Sequence, residues 1–491
     1  MGYDEKIRII STETIKPSSP TPSHLAKFKL SLVDYYTLDA AYMPHVFFYP
    51  AHGSKSSETD QRLQALKSSL AQALARFYPL AGRLTAKNHV GRPAHSIIHC
   101  NDEGIPFSTA RGSLDSPMTL FLARGPDADS LVQFLPFPAA RLLTAADIES
   151  APQFAARATI FPCSGIAVGI CALHKIMDAH TVANFMNLWA AVARGQGSSE
   201  VGAAAAAYAH DRAATSLFPL NRHDVGPGAV NSGGEEGKKM VTRRFVFDGE
   251  AISALKCRGR SDPVPNPTRS EVVAAFMWKS AVNATAEAVK STDGGEAKPI
   301  TVHSAGGMVV DLRPRMKEPW PDYSVGNIIW ANHSSYKYDS NQRLDEANAL
   351  QQLVGKLRSS TSKVDAKFME KLKGGDGREE FFRNHEALRK ALMVDVTESD
   401  TRVMMFGMSS LVGIRFYDVD FGWGKPAWVS MTAFSNQVHN MVFFMDSPIG
   451  HGIEAWVTMH EQEMTIMDHD PEFLAYANNN PSVLWACLAR L

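Results

Sequence analysis

One short segment carries the residues best suited to catalysis, namely His174 and Asp178 in the run Ala172–His180. An imidazole can take or give a proton near neutral pH, and a nearby carboxylate can orient it. Because the two residues are four apart, on a helix they would share one face, with Cβ atoms about 5–6 Å apart. Such a pattern alone more often marks a hydrogen-bonded core histidine. The rest of the chain must therefore decide between the two interpretations.

The segments around His174 predict how it is positioned. The apolar run Phe161–Cys171 predicts a buried strand, and Thr181–Arg194 predicts the helix that follows it. His174 is then expected at a strand-to-helix junction, where side chains often face a cleft. Further upstream, the leucines of Leu63–Phe77 recur at helical spacing, and Pro79 ends that pattern.

The second half of the chain repeats this mixture of elements. Strands are predicted over Arg244–Asp248, Thr301–Leu312 and Gly452–Thr458, and a helix over Ser270–Val282. Residues 196–240 concentrate Gly, Ala, Ser and charge, as a linker does. We therefore expect an α/β protein with an N-terminal domain (1–195), a crossover linker (196–240) and a C-terminal domain (241–491), and with the site between the domains.

Composition excludes several classes of function. The chain of 491 residues carries 50 Lys and Arg against 51 Asp and Glu, so no global field attracts nucleic acid or an anionic membrane. Its five cysteines are scattered and form no CxxC pair, which indicates neither a disulfide framework nor a zinc site. No apolar run is long enough to span a bilayer. We expect a cytoplasmic protein that binds neither nucleic acid nor membrane.

A second motif, Asp420–Pro426, places two glycines around a tryptophan and closes with Lys-Pro. Alone it is typical of a rigid structural loop. About 240 residues after the His174 motif, however, this ordered pair resembles the BAHD family of plant acyl-CoA-dependent acyltransferases. Further matches in family order are Phe77–Arg83, Cys100–Gly104, Phe161–Cys163, Thr268–Trp278, Asp311–Arg315 and Gly326-Asn327. The resemblance covers nearly the whole chain and is greatest to the branch that contains vinorine synthase and salutaridinol acetyltransferase.

This resemblance implies a fold and a mechanism. The fold has two domains of similar size, each a mixed β-sheet with flanking helices, as in chloramphenicol acetyltransferase. A solvent channel between them admits coenzyme A from one face and the acceptor from the other. His174 takes the central position, where it removes the acceptor's proton and later protonates the leaving thiolate. Cys163 and Cys171 lie in apolar surroundings, so we expect structural thiols and no covalent acyl-enzyme.

Asp178 has two possible roles. Helix spacing alone makes it the group that orients His174, as in a catalytic triad. The family resemblance implies instead that it turns away and pairs with an arginine, for which Arg313 is the candidate. His180 lies about 240° around a helix from His174, so the two are not expected to share a metal ion, and no metal site is predicted.

The resemblance also assigns roles to residues of the second half. Asp420 and Trp423 support the domain's structure. Ser410, Leu411, Gly413 and Asn327 line the acceptor pocket or lie near the oxyanion. Relatives usually carry Ser-Ser-Trp-Cys-Arg where this chain has Ser409–Gly413, so we expect a roomier and less cationic pocket.

Thr268 and Arg269 are the candidates for binding coenzyme A. Their alternative interpretation is a helix N-cap followed by a solvated arginine.

The predicted function is acyl-CoA-dependent O-acylation, most simply transfer of acetyl from acetyl-CoA to a hydroxyl of a specialised metabolite. It proceeds in a ternary complex, on a monomer, with no permanently bound cofactor. Two alternatives remain: an N-acyltransferase that forms an amide, and a non-catalytic relative that only binds a ligand.

Overall fold

The computed structural model describes most of the chain. The described residues are 7–37, 41–51, 56–85, 95–112, 117–138, 143, 147–196, 213–221, 224, 239–292, 301–316, 324–339, 346–392, 401–432, 440–448 and 450–484. In this part of the chain the secondary structure consists of two large mixed sheets, a small three-stranded sheet, and helices that flank them.

The strands, in chain order, are β1 (Ile7–Ile15), β2 (Lys27–Lys29), β3 (Tyr42–Tyr49), β4 (Arg83–Leu84), β5 (Ile97–His99), β6 (Ile105–Gly112), β7 (Phe154–Ile160), β8 (Ile166–Leu173), β9 (Met240–Phe247), β10 (Thr301–Asp311), β11 (Ile329–Asp339), β12 (Thr401–Ser410), β13 (Trp428–Met431), β14 (Met441–Asp446), β15 (Ile453–His460) and β16 (Asn478–Asn479).

The α-helices, in chain order, are α1 (Leu32–Tyr36), α2 (Ser56–Arg76), α3 (Met118–Ala123), α4 (Ala128–Leu131), α5 (Ala179–Ala193), α6 (Ala213–Leu217), α7 (Gly249–Arg258), α8 (Arg269–Thr292), α9 (Glu346–Ser362), α10 (Ala366–Lys371), α11 (Gly377–Leu392), α12 (Glu461–Asp468) and α13 (Pro471–Leu474).

The first sheet has the strand order β1-β6-β7-β8-β3-β13. Its last strand, β13, comes from the second half of the chain and pairs antiparallel with β3, for example Ser430 with Val46. The second sheet has the order β11-β10-β12-β14-β15-β9-β16, with parallel pairing of β12 to both β10 and β14. The expected fold of two mixed sheets with flanking helices is confirmed, and one strand of the second half completes the first sheet.

The helix predicted from the leucine spacing is α2, and its apolar face packs on the first sheet. Leu66, Leu70 and Leu74 are fully buried there. Each such side chain contributes about 1.5–3 kcal/mol by leaving water. The indole Nε1 of Trp189, on α5, donates to the backbone oxygen of Leu66 at 3.0 Å. This contact fixes α5, which begins directly after the His174 segment.

The strand predicted over Phe161–Cys171 is present as β8, but it begins five residues later than expected, at Ile166. The structure has two antiparallel strands, β7 and β8, joined by a tight turn in which Phe161 N donates to Gly165 O. Pro162 cannot donate to a sheet ladder, and Ser164 adopts a positive φ of 65°. The apolar run therefore covers the turn and most of β8, and the preceding strand β7 was not predicted. Both strands are buried throughout, so neither shows the alternation that would mark its bounds.

Part of the predicted linker packs against the body of the protein. Within the range 196–240 the structure describes only 196, 213–221, 224, 239 and 240, and among them α6 is buried. Phe218 stacks on Trp330 with ring centroids 6.1 Å apart, and its backbone oxygen accepts from Leu32 N. The remainder of the linker lies outside the described residues, and the domain boundaries stay a prediction. No described helix is long and apolar enough to cross a membrane.

Candidate active site

His174 is the first residue after strand β8. Its backbone N–H donates to the oxygen of Ala41 at 2.9 Å, which extends the pairing of β8 with β3 by one residue. A turn follows, and α5 begins only at Ala179, with Asp178 as its N-cap accepting from Thr181 N at 2.8 Å. The expectation that His174 and Asp178 share a helical face is therefore wrong. Aspartate is strongly favoured at an N-cap, which places the start of the helix after the motif.

Asn327 holds the backbone of His174 from the second half of the chain. Its Nδ2 donates to the backbone oxygen of His174 at 2.8 Å and to Asp34 Oδ1 at 2.9 Å, and its own N–H donates to the same oxygen of Asp34. Asn327 is fully buried and does not line the cavity, contrary to the expectation from the resemblance. It positions the segment that carries His174. Gly326, beside it, needs a positive φ of 113° that other residues rarely adopt.

Asp178 pairs with Arg313, the partner expected from the resemblance. Nη1 of Arg313 lies 2.7 Å from Oδ2, and Nη2 lies 3.2 Å from Oδ1. Oδ2 also accepts from Ile328 N at 3.1 Å. Both side chains are buried, and Arg313 donates its remaining hydrogen bonds to Asp311, to the hydroxyl of Thr181 and to the backbone oxygens of Ser324 and Gly326. The carboxylate of Asp178, in the first half of the chain, is thus bound to Arg313 in the second half.

The surroundings of the His174 imidazole favour its neutral form. Burial lowers its pKa, and its own backbone oxygen, Asp178 and the Asn327 side chain oppose this only in part. The ring therefore stays uncharged at neutral pH. Nδ1 is buried and lacks a hydrogen-bond partner among the described residues, whereas the residue as a whole is partly exposed and lines a cavity. Nε2 is the nitrogen that can meet a reactant.

The cavity beside His174 has a volume of about 310 Å³ and lies between the two halves. That volume is at the lower end of the range for small-molecule sites. Its wall combines β3, α1 and the start of α5 with β10–β12, β14 and α11, and most of it is apolar. The size and lining suit a largely apolar small molecule held next to the imidazole.

The Ser409–Gly413 run divides between the cavity and the surface. Ser410 and Leu411 line the cavity, and Ser410 Oγ lies 3.5 Å from Ser270 Oγ at the start of α8. Gly413 is exposed, has a φ of 85°, and donates its N–H to Asp446 at 2.6 Å. The placement of Gly413 in the pocket is therefore wrong. The chain turns outward after Leu411, so only the first three residues of the run face the ligand space.

Thr268 and Arg269 lie at the N-terminal end of α8. Thr268 caps the helix, because Glu271 N donates to its Oγ1 at 3.2 Å and Thr268 N donates to Glu271 Oε2 at 2.8 Å. Arg269 is partly exposed, donates to the backbone oxygen of His451, and lies 3.7 Å from Asp446. The two residues therefore adopt the N-cap arrangement that the sequence left open, and their contact with coenzyme A stays a prediction.

The Asp420–Pro426 loop lies outside the cavity. Oδ1 of Asp420 accepts from Gly422 N at 2.8 Å and from Gly424 N at 3.0 Å, and both glycines have a φ of 102°. The ring of Trp423 stacks on Phe421 with centroids 5.6 Å apart. These contacts give the loop its shape, and they involve no residue of the cavity wall.

Two cysteines flank the motif, and both are engaged in local structure. Cys171 is buried, and burial raises the pKa of its thiol well above the ordinary value. Cys163 Sγ accepts from Met118 N at 3.4 Å. A protonated, buried thiol such as that of Cys171 is a poor nucleophile, and neither cysteine is among the described residues that line the cavity.

Three further histidines line the cavity, and sequence reasoning gave none of them a role there. They are His45 on β3, His180 on α5 and His385 on α11. The position of His180, two residues after Asp178, is the sequence feature that could have suggested a place in the cavity. Neither the strand pattern around His45 nor the helix pattern around His385 indicates that these residues face a cavity. Among the described residues, no group of His, Cys, Asp and Glu is arranged to hold a metal ion.

The fold has two mixed sheets that share the walls of an apolar cavity, and His174 lies at that cavity. This is the arrangement expected of an acyltransferase with two mixed-sheet domains. A family model described as the transferase family matches residues 5–474, and the chain belongs to that family, which comprises the BAHD acyltransferases.

Two relatives and one solved structure show the extent of the likeness. The chain is 34% identical to akuammiline synthase 2 of Alstonia scholaris over 489 residues, covering 97% of this chain and 98% of that one. It is also 34% identical to the limonoid 7-O-acetyltransferase of Citrus sinensis, covering 97% and 99%. The crystal structure of vinorine synthase matches with a TM-score of 0.72 at 28% identity, covering 97% of this chain and all of that one.

Proposed function

We propose that this acyltransferase moves an acetyl group from acetyl-CoA to a hydroxyl of a largely apolar specialised metabolite, with His174 as the general base. The observation that carries the proposal is the neutral, partly exposed imidazole at the wall of an apolar cavity. Relatives named as limonoid O-acetyltransferases and as stemmadenine O-acetyltransferase support both the acetyl donor and the hydroxyl acceptor.

The reaction needs one base and two aligned substrates. Nε2 of His174 takes the hydroxyl proton as the oxygen attacks the thioester carbonyl, and a tetrahedral oxyanion forms. The oxyanion collapses, the carbon–sulfur bond breaks, and the proton passes from Nε2 to the coenzyme A thiolate. Such proton transfer is typically worth about 10²–10⁴ in rate. Ser410, at the cavity wall, supplies a hydroxyl for the oxyanion.

We infer that both substrates are bound together and that one chain suffices. Parts of both halves of the chain form the wall of the cavity, so a single molecule supplies every group that the reaction requires. Acyl-CoA is a substrate here, and the proposal includes no permanently bound cofactor. The cytoplasmic location stays a prediction from the sequence.

A mixture screen tests this function directly. The purified protein is incubated with acetyl-CoA and pooled terpenoid and alkaloid alcohols, with amines in a second pool, and the products are analysed by mass spectrometry. We expect acetyl esters from the wild type and almost none from His174→Ala. Amides in place of esters would correct the proposal to N-acylation. No product, together with tight coenzyme A binding, would favour the non-catalytic alternative.

A further inference from the structure

A second imidazole, that of His180, lines the same cavity as His174. Its Nδ1 lies 2.9 Å from Oδ2 of Asp311, and the two side chains keep 28% and 27% of their surface exposed. His180 is the second residue of α5, in the first half, whereas Asp311 ends β10, in the second. The pair therefore connects the two halves at the wall of the ligand space.

Asp311 fixes the orientation of this ring. Its Oδ1 accepts from the backbone N–H of Arg313 at 3.0 Å and from Nη1 of the same residue at 3.2 Å, which leaves Oδ2 for His180. Burial opposes ionisation, but the hydrogen bond from His180 and the charge of Arg313 keep the pKa of Asp311 below its ordinary value. The carboxylate is anionic at neutral pH and accepts hydrogen bonds only. The ring proton of His180 consequently belongs on Nδ1.

With the ring proton on Nδ1, Nε2 of His180 is the nitrogen that can accept a hydrogen bond from a ligand. Within the described part of the chain, the structure gives this nitrogen no protein partner. Nδ1 of this imidazole is held by a carboxylate that the buried Arg313 binds in turn, and the ring lines the cavity, so His180 is pre-organised to bind a ligand group.

Most of the rest of the wall is apolar. Its apolar side chains include Val309, Ile329, Trp330, Phe381 and Leu388, and its polar ones include Thr37, His385, Ser409 and Ser410. Asn384 already donates to the backbone oxygen of Ala331, and the hydroxyl of Tyr36 donates to Asp224 O. No lysine or arginine is among the described residues that line the cavity. A ligand here is held mainly by apolar contact, and a single hydrogen bond then has a large effect on its orientation.

We propose that His180, oriented by Asp311, binds a second hydroxyl group of the acceptor, so that the preferred substrates are bulky, largely apolar alcohols with two hydroxyls. This inference rests on the proposed function, because it assumes that the cavity holds an acceptor for His174. The acceptor's second hydroxyl donates to Nε2 of His180 while the first is deprotonated by His174. The same contact then selects which of the two hydroxyls is acylated, since it fixes how the molecule lies between the two imidazoles.

The test uses matched pairs of steroid and terpenoid alcohols, each pair a mono-alcohol and the diol that carries one further hydroxyl. Values of kcat/KM with acetyl-CoA are measured for the wild type and for His180→Phe, which keeps an aromatic ring and removes the acceptor nitrogen. For at least one pair we expect the wild type to prefer the diol by on the order of 10-fold, the usual effect of one hydrogen bond. In His180→Phe that preference disappears, chiefly through a higher KM for the diol.

Two further variants distinguish a loss of diol recognition from a general loss of folding or activity. His180→Gln restores an acceptor oxygen, and it should recover part of the preference for the diol. His385→Phe removes another imidazole from the same cavity, where the ring packs on Phe381 with centroids 4.4 Å apart. That variant should change both members of a pair alike. Melting temperatures of all three show whether the fold is retained.

The outcomes distinguish this inference from the proposed function. If the wild type acetylates mono-alcohols and diols equally well, or if His180→Phe lowers both by the same factor, the recognition role is refuted while the acyltransferase stands. If the wild type acetylates no acceptor, and matches His174→Ala in thiol release, the proposed function fails and the role of His180 fails with it.

Discussion

Arg313 holds the carboxylate of Asp178 through two guanidinium nitrogens, at 2.7 and 3.2 Å, in a buried ion pair that joins the two halves of the chain. This carboxylate also accepts hydrogen bonds from the backbone N–H groups of Thr181 and Ile328. Nδ1 of His174 donates no hydrogen bond to it. The two residues of the motif thus have different contacts. His174 lines the cavity, and the carboxylate of Asp178 joins the two halves of the chain through Arg313.

Replacing Asp178 by Asn should therefore damage the fold. The change leaves the Arg313 charge buried without its main counter-ion, which typically costs about 3–5 kcal/mol. We expect a clearly lower melting temperature in thermal unfolding, together with lower activity. A variant that melts like the wild type but has lost turnover would instead assign Asp178 the role of orienting His174.

The pH dependence of turnover should report the environment of His174. Burial lowers the pKa of this imidazole, and only the neutral form acts as a base. The rate should therefore be level at neutral pH and fall on acidification, with the midpoint below the ordinary histidine value of about 6.5. A pH profile of kcat/KM at saturating acetyl-CoA measures this. A midpoint above that value would contradict a buried neutral base.

Acid sensitivity of the fold should depend on His45. This side chain is fully buried, both ring nitrogens lack a partner among the described residues, and burial lowers its pKa to about 4. Its folded pKa is thus below the unfolded value of about 6.5, so stability is complete above pH 6.5 and is lost as the pH falls toward 4. The loss is on the order of 3 kcal/mol at low pH.

The matched variant is His45→Phe, since the ring of His45 already packs on Phe416 with centroids 4.8 Å apart. Its melting temperature should fall less than that of the wild type between pH 6.5 and 4. Parallel curves for the two proteins would show that His45 is not the group responsible.

Arg269 should affect the donor rather than the acceptor. It is partly exposed at the start of α8, whose next residue, Ser270, lies against Ser410 at the cavity wall. If its guanidinium binds coenzyme A, Arg269→Ala should raise the KM for acetyl-CoA by about 10-fold, the effect of a charge-assisted hydrogen bond. The control is Arg258→Ala, which removes an arginine that is paired with Glu472 on the same half. Equal KM values for the two variants would remove Arg269 from the donor site.

Much of the architecture follows from local sequence patterns. The leucine spacing predicts α2, because this helix has one face on a core. The alternation of residue types in β15 also predicts a strand, although both of its faces are buried. The order of the motifs resembles that of the BAHD family, and this resemblance predicts the fold of two mixed sheets. In β7 and β8, where both faces are buried and no periodicity remains, the apolar run predicts β8 with its start five residues too early, and β7 is not predicted.

The site itself was predicted less completely. The place of His174 beside the cavity and the pairing of Asp178 with Arg313 follow from the family resemblance of the two motifs, whereas spacing alone would have paired Asp178 with His174. Asn327 and Gly413 were misplaced, because sequence order does not show whether a loop residue faces a cavity or the protein around it. His180 could not be assigned a role, since its contact with Asp311 forms only when the two halves assemble.

Single-turnover transfer from radiolabelled acetyl-CoA tests the central claim most directly. An alcohol identified in the acceptor screen is mixed with enzyme in excess, and labelled ester and labelled protein are measured for the wild type and for His174→Ala. We expect label only in the ester, formed about 10²–10⁴ times more slowly by the variant with coenzyme A binding unchanged. Ester formation at similar rates by both proteins, or label retained on the protein before the acceptor is added, would contradict catalysis by His174 in a ternary complex.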